Sequence, residues 1–274
     1  MDKDRPAFDD RVMNDYIPHI IKMVANAPPD GEMFEELINS PSYKYVEDVQ
    51  NKLNKIDEAI KQCELAARQV ENPPPNHWLN SMGLSLADHF QKQLDDATLY
   101  LFSVFDKCLL LINSVLDLQI DPRQCRYEKV KNRVNNNDEL LKALQKLNQT
   151  VKPLADLRNF YVHRGEPREM VLIDTLKIIE LLGERREITT EQDVPAVTRR
   201  HILETMRSEI TKINALVEEV KGNLLASYKK RLEELGGVMM PSQQEVTVFR
   251  EVLESITGTE PAEFVLPPEF DKLH

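Results

Sequence analysis

Along most of the chain, apolar residues recur every three or four positions, the period of a helix with one buried face. Phe8, Val12, Ile17, Ile20, Ile21 and Val24 fall near one side of a helix predicted over 8–25, with a kink at Pro18. A short helix is expected over 32–39, before Pro41. Tyr45, Val49, Leu53, Ile56, Ile60, Cys63 and Ala67 then trace a long helix over 42–70, charged on its opposite side. Three prolines between Asn72 and Asn76 end it and mark the best internal boundary.

The strongest apolar pattern spans 84–118. Phe90, Leu94, Ala97, Leu101, Val104, Phe105, Cys108, Leu111, Ile112 and Val115 make a stripe wide enough to be covered from more than one side. This predicts the central helix of a bundle. A turn around Pro122 follows, then a basic segment over 125–134 with one or two helical turns. Asn135 to Asn137 break it, and Asp138 is expected to cap a helix over 139–147. A separate short helix is predicted to start at Pro153, because the amide that proline lacks needs no partner there. It should end at Gly165, with Pro167 barring continuation. Residues 169–182 are expected to be helical, and 183–194 a polar connection. Ile202, Met206, Ile210, Ile213, Leu216, Val220, Leu224, Tyr228 and Leu232 predict a long helix over 195–235, stopped by Gly236 and Gly237. Ser242 with Glu245 is a capping-box pattern for a last helix ending near Thr257, before a proline-containing tail. No internal repeat of fixed period is present.

The pattern predicts an all-α protein. A multi-helix core over 78–235 carries a helical extension over 1–72 and a C-terminal helix and tail over 236–274. Composition agrees: 8 glycines, 6% aromatic and 30% charged residues suit helices with solvated faces better than a sandwich or barrel. No apolar run of membrane-spanning length is evident, and the first residues do not resemble a signal peptide, so a cytoplasmic location with no membrane partner is expected. Cys63, Cys108 and Cys125 are odd in number and widely spaced, which argues against a disulfide framework or zinc site. The net charge of −11 excludes a generic nucleic-acid coat, since phosphate binding needs concentrated cations. It leaves room for a local basic site. Lys152, Arg158, Arg164 and Arg168 exceed the nearby Asp156, Glu166 and Glu169, and Lys152, Arg164 and Arg168 are candidate substrate contacts.

The chemistry concentrates between Leu154 and Pro167. Arg158 is a permanent cation with a planar fork of donors suited to phosphate oxygens. His163 titrates near neutrality and can give or take a proton. Asn159 can orient the imidazole or donate to phosphate. Arg158, Asn159 and His163 occupy, without a gap, the positions of R-N-x-x-x-H, and the chain thereby resembles the HEPN superfamily of small all-helical ribonuclease domains.

The resemblance implies metal-independent RNA cleavage through the 2′-hydroxyl, leaving a 2′,3′-cyclic phosphate, with Arg158, Asn159 and His163 as the catalytic set and no cofactor or metal. It also implies a homodimer with the two motifs in one cleft. Many such proteins are toxins or defence effectors restrained by an antitoxin or regulatory protein. Residues five apart on a straight helix lie about 140° apart around its axis. Arg158 and His163 therefore converge on one phosphate only through the arginine's reach and a loosened last turn, or through a second subunit. The rival reading is a non-catalytic helical module binding RNA or protein. In it Arg158 is a surface cation, and His163 a helix-end residue bonding a free carbonyl.

Other positions carry less. His77 and His89 lack partners at ligand spacing. His19 and His201 are expected at the surface or at helix ends. Asp95, Asp96, Tyr100 and Lys107 suit a solvated helix face, and Trp78 a packing anchor after the proline run. No glycine-rich phosphate loop or Ser-His-Asp pattern is present.

Overall fold

The computed structural model describes residues 8–26, 36–134, 137–164, 193–238 and 240–257, and these are all-α, without a strand among them. The helices are α1 (Phe8–Ala25), α2 (Pro41–Glu71), α3 (Asn76–Ser81), α4 (Leu86–Val115), α5 (Tyr127–Arg133), α6 (Asp138–Arg164), α7 (Asp193–Glu234) and α8 (Gln243–Thr257). Residues 36–39 add a helical turn, and Pro122–Gln124 a 3₁₀ turn. The helix expected over 169–182 and the tail beyond Gly258 lie outside the described residues.

The fold divides into two compact units, each taking part of the longest helices. The first comprises Met1–Asn54, Leu111–Ile120 and Lys221–His274. In it, Ile21 of α1 packs with Val246 and Phe249 of α8, flanked by Ile17, Ile20 and Val24. Tyr228 is fully buried, with Phe8 edge-on at 5.6 Å and Tyr45 stacked at 5.5 Å. Buried Lys221 donates to Asp9 at 2.6 Å. Arg231 pairs with Asp117.

Helix ends in this unit follow from their sequences. Gly236 (φ 97°) follows α7, with its amide on the Glu233 carbonyl (3.1 Å) and the Gly237 amide on that of Leu232 (2.9 Å). This Schellman closure satisfies carbonyls that the helix leaves free. At the start of α8 the Ser242 amide donates to Glu245 Oε2 (2.6 Å), and the Glu245 amide to Ser242 Oγ (3.3 Å), completing the expected capping box. The α4 terminus uses the same closure without glycine. Asp117 (φ 48°) takes the left-handed position, and the Leu118 amide reaches the Asn113 carbonyl at 3.0 Å.

The second unit comprises Lys55–Leu110 and Asp121–Val220. Ile56, Cys63, Val70, Phe90, Ala97, Val104, Cys108, Leu140, Leu144, Leu147, Val151, Ile213 and Val217 are all buried. The apolar stripes of α2, α4 and α7 thus face the interior, as their spacing predicts. Cys63 Sγ lies 3.7 Å from the Ala97 carbonyl, and burial pushes its thiol up to about 12. Within α4 the stretch Asp88–Val115 is long and apolar enough to cross a membrane by those criteria alone, contrary to the expectation from sequence. Half of it is buried inside the protein, as in the core helix of a bundle.

Four further expectations are corrected. Instead of two helices meeting near Pro153, α6 is continuous from Asp138 to Arg164 with Pro153 inside it. Leu140, Ala143, Leu144, Leu147 and Val151 form one buried stripe along its first half. Pro153 and Gln149 are exposed, so water can solvate the carbonyl that proline deprives of its bond. The cap is Asn137 rather than Asp138, its Oδ1 accepting from the Leu140 amide at 3.0 Å. His19 is buried, not superficial, because Phe8, Val12, Asp15 and His19 share one inward face of α1. Trp78 is 53% exposed, not packed inward as an anchor, since Leu79 takes the buried position and successive helical residues lie about 100° apart.

Candidate functional site

The residues predicted to carry chemistry lie on the C-terminal third of α6. Arg158, Asn159, His163 and Arg164 all belong to this helix, and Arg164 is its last residue. One backbone therefore fixes their register. Asn159 and His163, four apart, share a face, whereas Arg158 and His163 are about 140° apart around the axis. The side chains of 155–164 lie outside the described residues, as does all of Arg168. Lys152, nearly two turns before the motif, is exposed.

Immediately before the motif, α6 walls a cavity of about 780 Å³ within the second unit. Pro153 and Leu154 line it from α6 with Lys146, and Glu209, Lys212 and Leu216 from α7. Its cations are partly neutralised: Lys146 pairs with Glu219 at 2.6 Å, and Lys212 lies 3.8 Å from Glu209. The sequence singled out neither lysine, because local spacing carries no sign of a contact between residues so far apart. A second cleft, of about 330 Å³, is lined by Arg68 and Arg207, and Arg207 pairs with Glu71 at 2.9 Å.

The remaining candidates behave as ordinary helix residues. Gln91 donates to Asp95 at 2.7 Å, Lys92 bonds Asp96 at 2.5 Å, and Lys107 donates to Ser103 at 2.9 Å, all one turn apart along α4. Tyr100, His77 and His201 are exposed. His89 is buried, with Nε2 3.3 Å from the Gln69 carbonyl. Among the described residues no group of three or more His, Cys, Asp or Glu is arranged to hold a metal ion.

An all-α fold with R-N-x-x-x-H on one helix defines a HEPN-type domain. The chain belongs to the Cthe2314-like HEPN family, whose family model matches residues 45–230, about two-thirds of its length. The match spans the motif helix and most of α2 and α7. No curated protein and no solved structure matches the chain.

Proposed function

We propose that this protein is a metal-independent RNA endonuclease with Arg158, Asn159 and His163 as its catalytic residues. The observation that carries the reading is an unbroken R-N-x-x-x-H on one continuous helix of a HEPN-family chain. The 2′-hydroxyl oxygen of the RNA attacks the adjacent phosphorus as a histidine removes its proton. The new 2′-O–P bond forms, the P–O5′ bond breaks, and a protonated imidazole supplies the proton taken up by the leaving 5′-oxygen. The products are a 2′,3′-cyclic phosphate and a 5′-hydroxyl. Arg158 stabilises the charge that builds on the phosphorane oxygens, and Asn159 positions the imidazole one turn away.

A homodimer supports this chemistry better than one chain. The reaction uses a proton acceptor and a proton donor, and two copies of His163, one neutral and one protonated, would supply both. The register of α6 also separates Arg158 from His163 around the helix, and a second copy restores convergence. Lys152, Arg164 and Arg168 supply local cations for the RNA backbone in an otherwise acidic chain. An enzyme that cuts RNA by so simple a device needs restraint, which favours a toxin or defence effector held by an antitoxin or regulatory protein. The test is cleavage of a labelled RNA by the purified chain against His163→Ala and Arg158→Ala. Both variants should lose activity while keeping their helicity and mass. A well-folded wild-type chain that binds RNA or protein without cutting RNA would instead make this a binding module.

A further inference from the structure

The basic stretch that follows Pro122 takes no part in the chemistry at the motif. Between residues 123 and 133, five of eleven positions are Lys or Arg and one, Glu128, is acidic. No other stretch of that length in the chain holds as many cations. Residues 123–152 carry eight Lys and Arg against three Asp and Glu, so the acidic excess behind the net charge of −11 lies wholly outside them. Arg123, Arg126, Lys129, Lys131 and Arg133 are all exposed.

The local structure displays these cations rather than neutralising them. Elsewhere a helix cation meets a carboxylate three or four residues away, as Arg11 does with Asp15, Lys52 with Asp48, Lys92 with Asp96 and Lys142 with Glu139. Among the described residues no carboxylate pairs with Arg123, Arg126, Lys129 or Lys131. Lys129 donates instead to the neutral Gln124 Oε1 at 2.6 Å, and Lys131 Nζ stands 5.8 Å from the centre of the Tyr127 ring. Asp121 is taken up by the 3₁₀ turn, accepting from the Arg123 amide at 2.8 Å. Val130 and Val134 are buried, and Tyr127 packs on Phe105 at 6.2 Å, which turns the other side of α5 outward. Arg126 at the N-cap, Lys129 and Arg133 then fall within about 60° of one another around the axis, over about 10 Å of its length. Lys129 and Arg133, four apart, repel each other, a cost that a bound anion removes.

We propose that the surface of the 3₁₀ turn and α5 binds the phosphate backbone of RNA, as a second contact remote from the motif. An acidic chain repels a polyanion except where its cations cluster, and they cluster most densely here. Four residues join α5 to the start of α6, and Arg158 lies about 30 Å further along that helix. A strand held on α5 therefore leaves the scissile phosphate to the motif. A bilayer suits the surface less well, because the stretch buries Val130 and Val134 and offers no large apolar side chain to insert. This role rests on the reading of RNA as the substrate, and not on which residues cut it.

Anisotropy of a labelled 2′-O-methyl RNA of about 20 nucleotides, longer than most single-strand sites, gives the affinity of the full chain without cleavage. The double variant Arg126→Ala/Lys129→Ala should bind about tenfold more weakly, and its plot of log affinity against log salt should be shallower by about 1.4. Lys55→Ala/Lys61→Ala, which removes the same charge from exposed positions of α2, should bind as wild type does. On unmodified RNA the α5 variant should keep its kcat and raise its KM by the factor lost in affinity. Affinity that falls as expected in a chain that cuts no RNA would uphold the α5 contact and remove only the nuclease reading. A wild-type chain that does not bind the RNA, an α5 variant that binds it as tightly as wild type, or an equal loss in the α2 variant would each overturn the proposal. So would an α5 variant that loses phosphatidylserine vesicles but keeps RNA, which would make the surface a lipid contact.

Discussion

The imidazole of His19 stands edge-on to the ring of Tyr43 at 5.4 Å, fully buried, and neither of its nitrogens has a hydrogen-bond partner. Burial first, and the charge of Lys22 second, lower its pKa from 6.5 to about 4. The folded chain therefore keeps His19 neutral where the unfolded chain protonates it. The pH-dependent part of its effect on stability is nil above about pH 6.5 and grows more unfavourable as pH falls toward 4, reaching roughly 3 kcal/mol. Thermal melts should show wild type losing stability across that window faster than His19→Leu. Parallel pH profiles would show that His19 does not set this sensitivity.

Lys221 and Asp9 form an ion pair with unequal exposure, the lysine side chain 3% and the aspartate 36%. Removing the carboxylate leaves the ammonium of an almost wholly buried side chain, whereas removing the lysine leaves a carboxylate side chain that is about a third exposed, with its Oδ1 buried. Asp9→Ala should cost about 3 kcal/mol or more in chemical denaturation, and Lys221→Met distinctly less. The reverse order would contradict this account of the pair.

Glu245 links the cap of α8 to α1. It accepts from the Ser242 amide, from Asn26 Nδ2 at 2.8 Å and from Lys22 at 3.3 Å. Burial opposes its ionisation, but these donors outweigh it and hold the carboxyl below the usual glutamate value. This contribution is present above the unfolded pKa and is lost as pH falls through the folded one. Glu245→Ala should destabilise the chain by about 2 kcal/mol, against about 1 for Ser242→Ala, which removes one cap bond. Equal effects in urea titrations would mean that the bonds to α1 contribute nothing.

The helices legible in the sequence are those whose burial is carried by apolar residues. Val49, Leu53 and Ile56 in α2, or Val104, Cys108 and Leu111 in α4, repeat at helical spacing and are buried as that spacing demands. Gly236 and the Ser242–Glu245 pair were equally plain, since each supplies a backbone or cap geometry that few other residues offer. His19 was not legible, because a polar side chain within an apolar stripe looks like a surface residue. The continuity of α6 through Pro153 was hidden as well. It depends on the stripe from Leu140 to Val151, which outweighs the local preference of proline for a first turn. The exposure of Trp78 reverses its expected role, and only the burial of neighbouring Leu79 reveals why. For the motif, sequence supplied residue types and register, and the structure adds that Arg158, Asn159, His163 and Arg164 share one unbroken helix.

Product-end analysis of RNA cleaved by the purified chain in EDTA, with a matched substrate carrying a 2′-deoxy residue at the scissile position, tests the central claim most directly. The natural RNA should yield a 2′,3′-cyclic phosphate and a 5′-hydroxyl. The 2′-deoxy substrate should stay uncut, and His163→Ala should cut neither. Cleavage that requires added magnesium and leaves a 5′-phosphate, or cutting undiminished in His163→Ala, would contradict it.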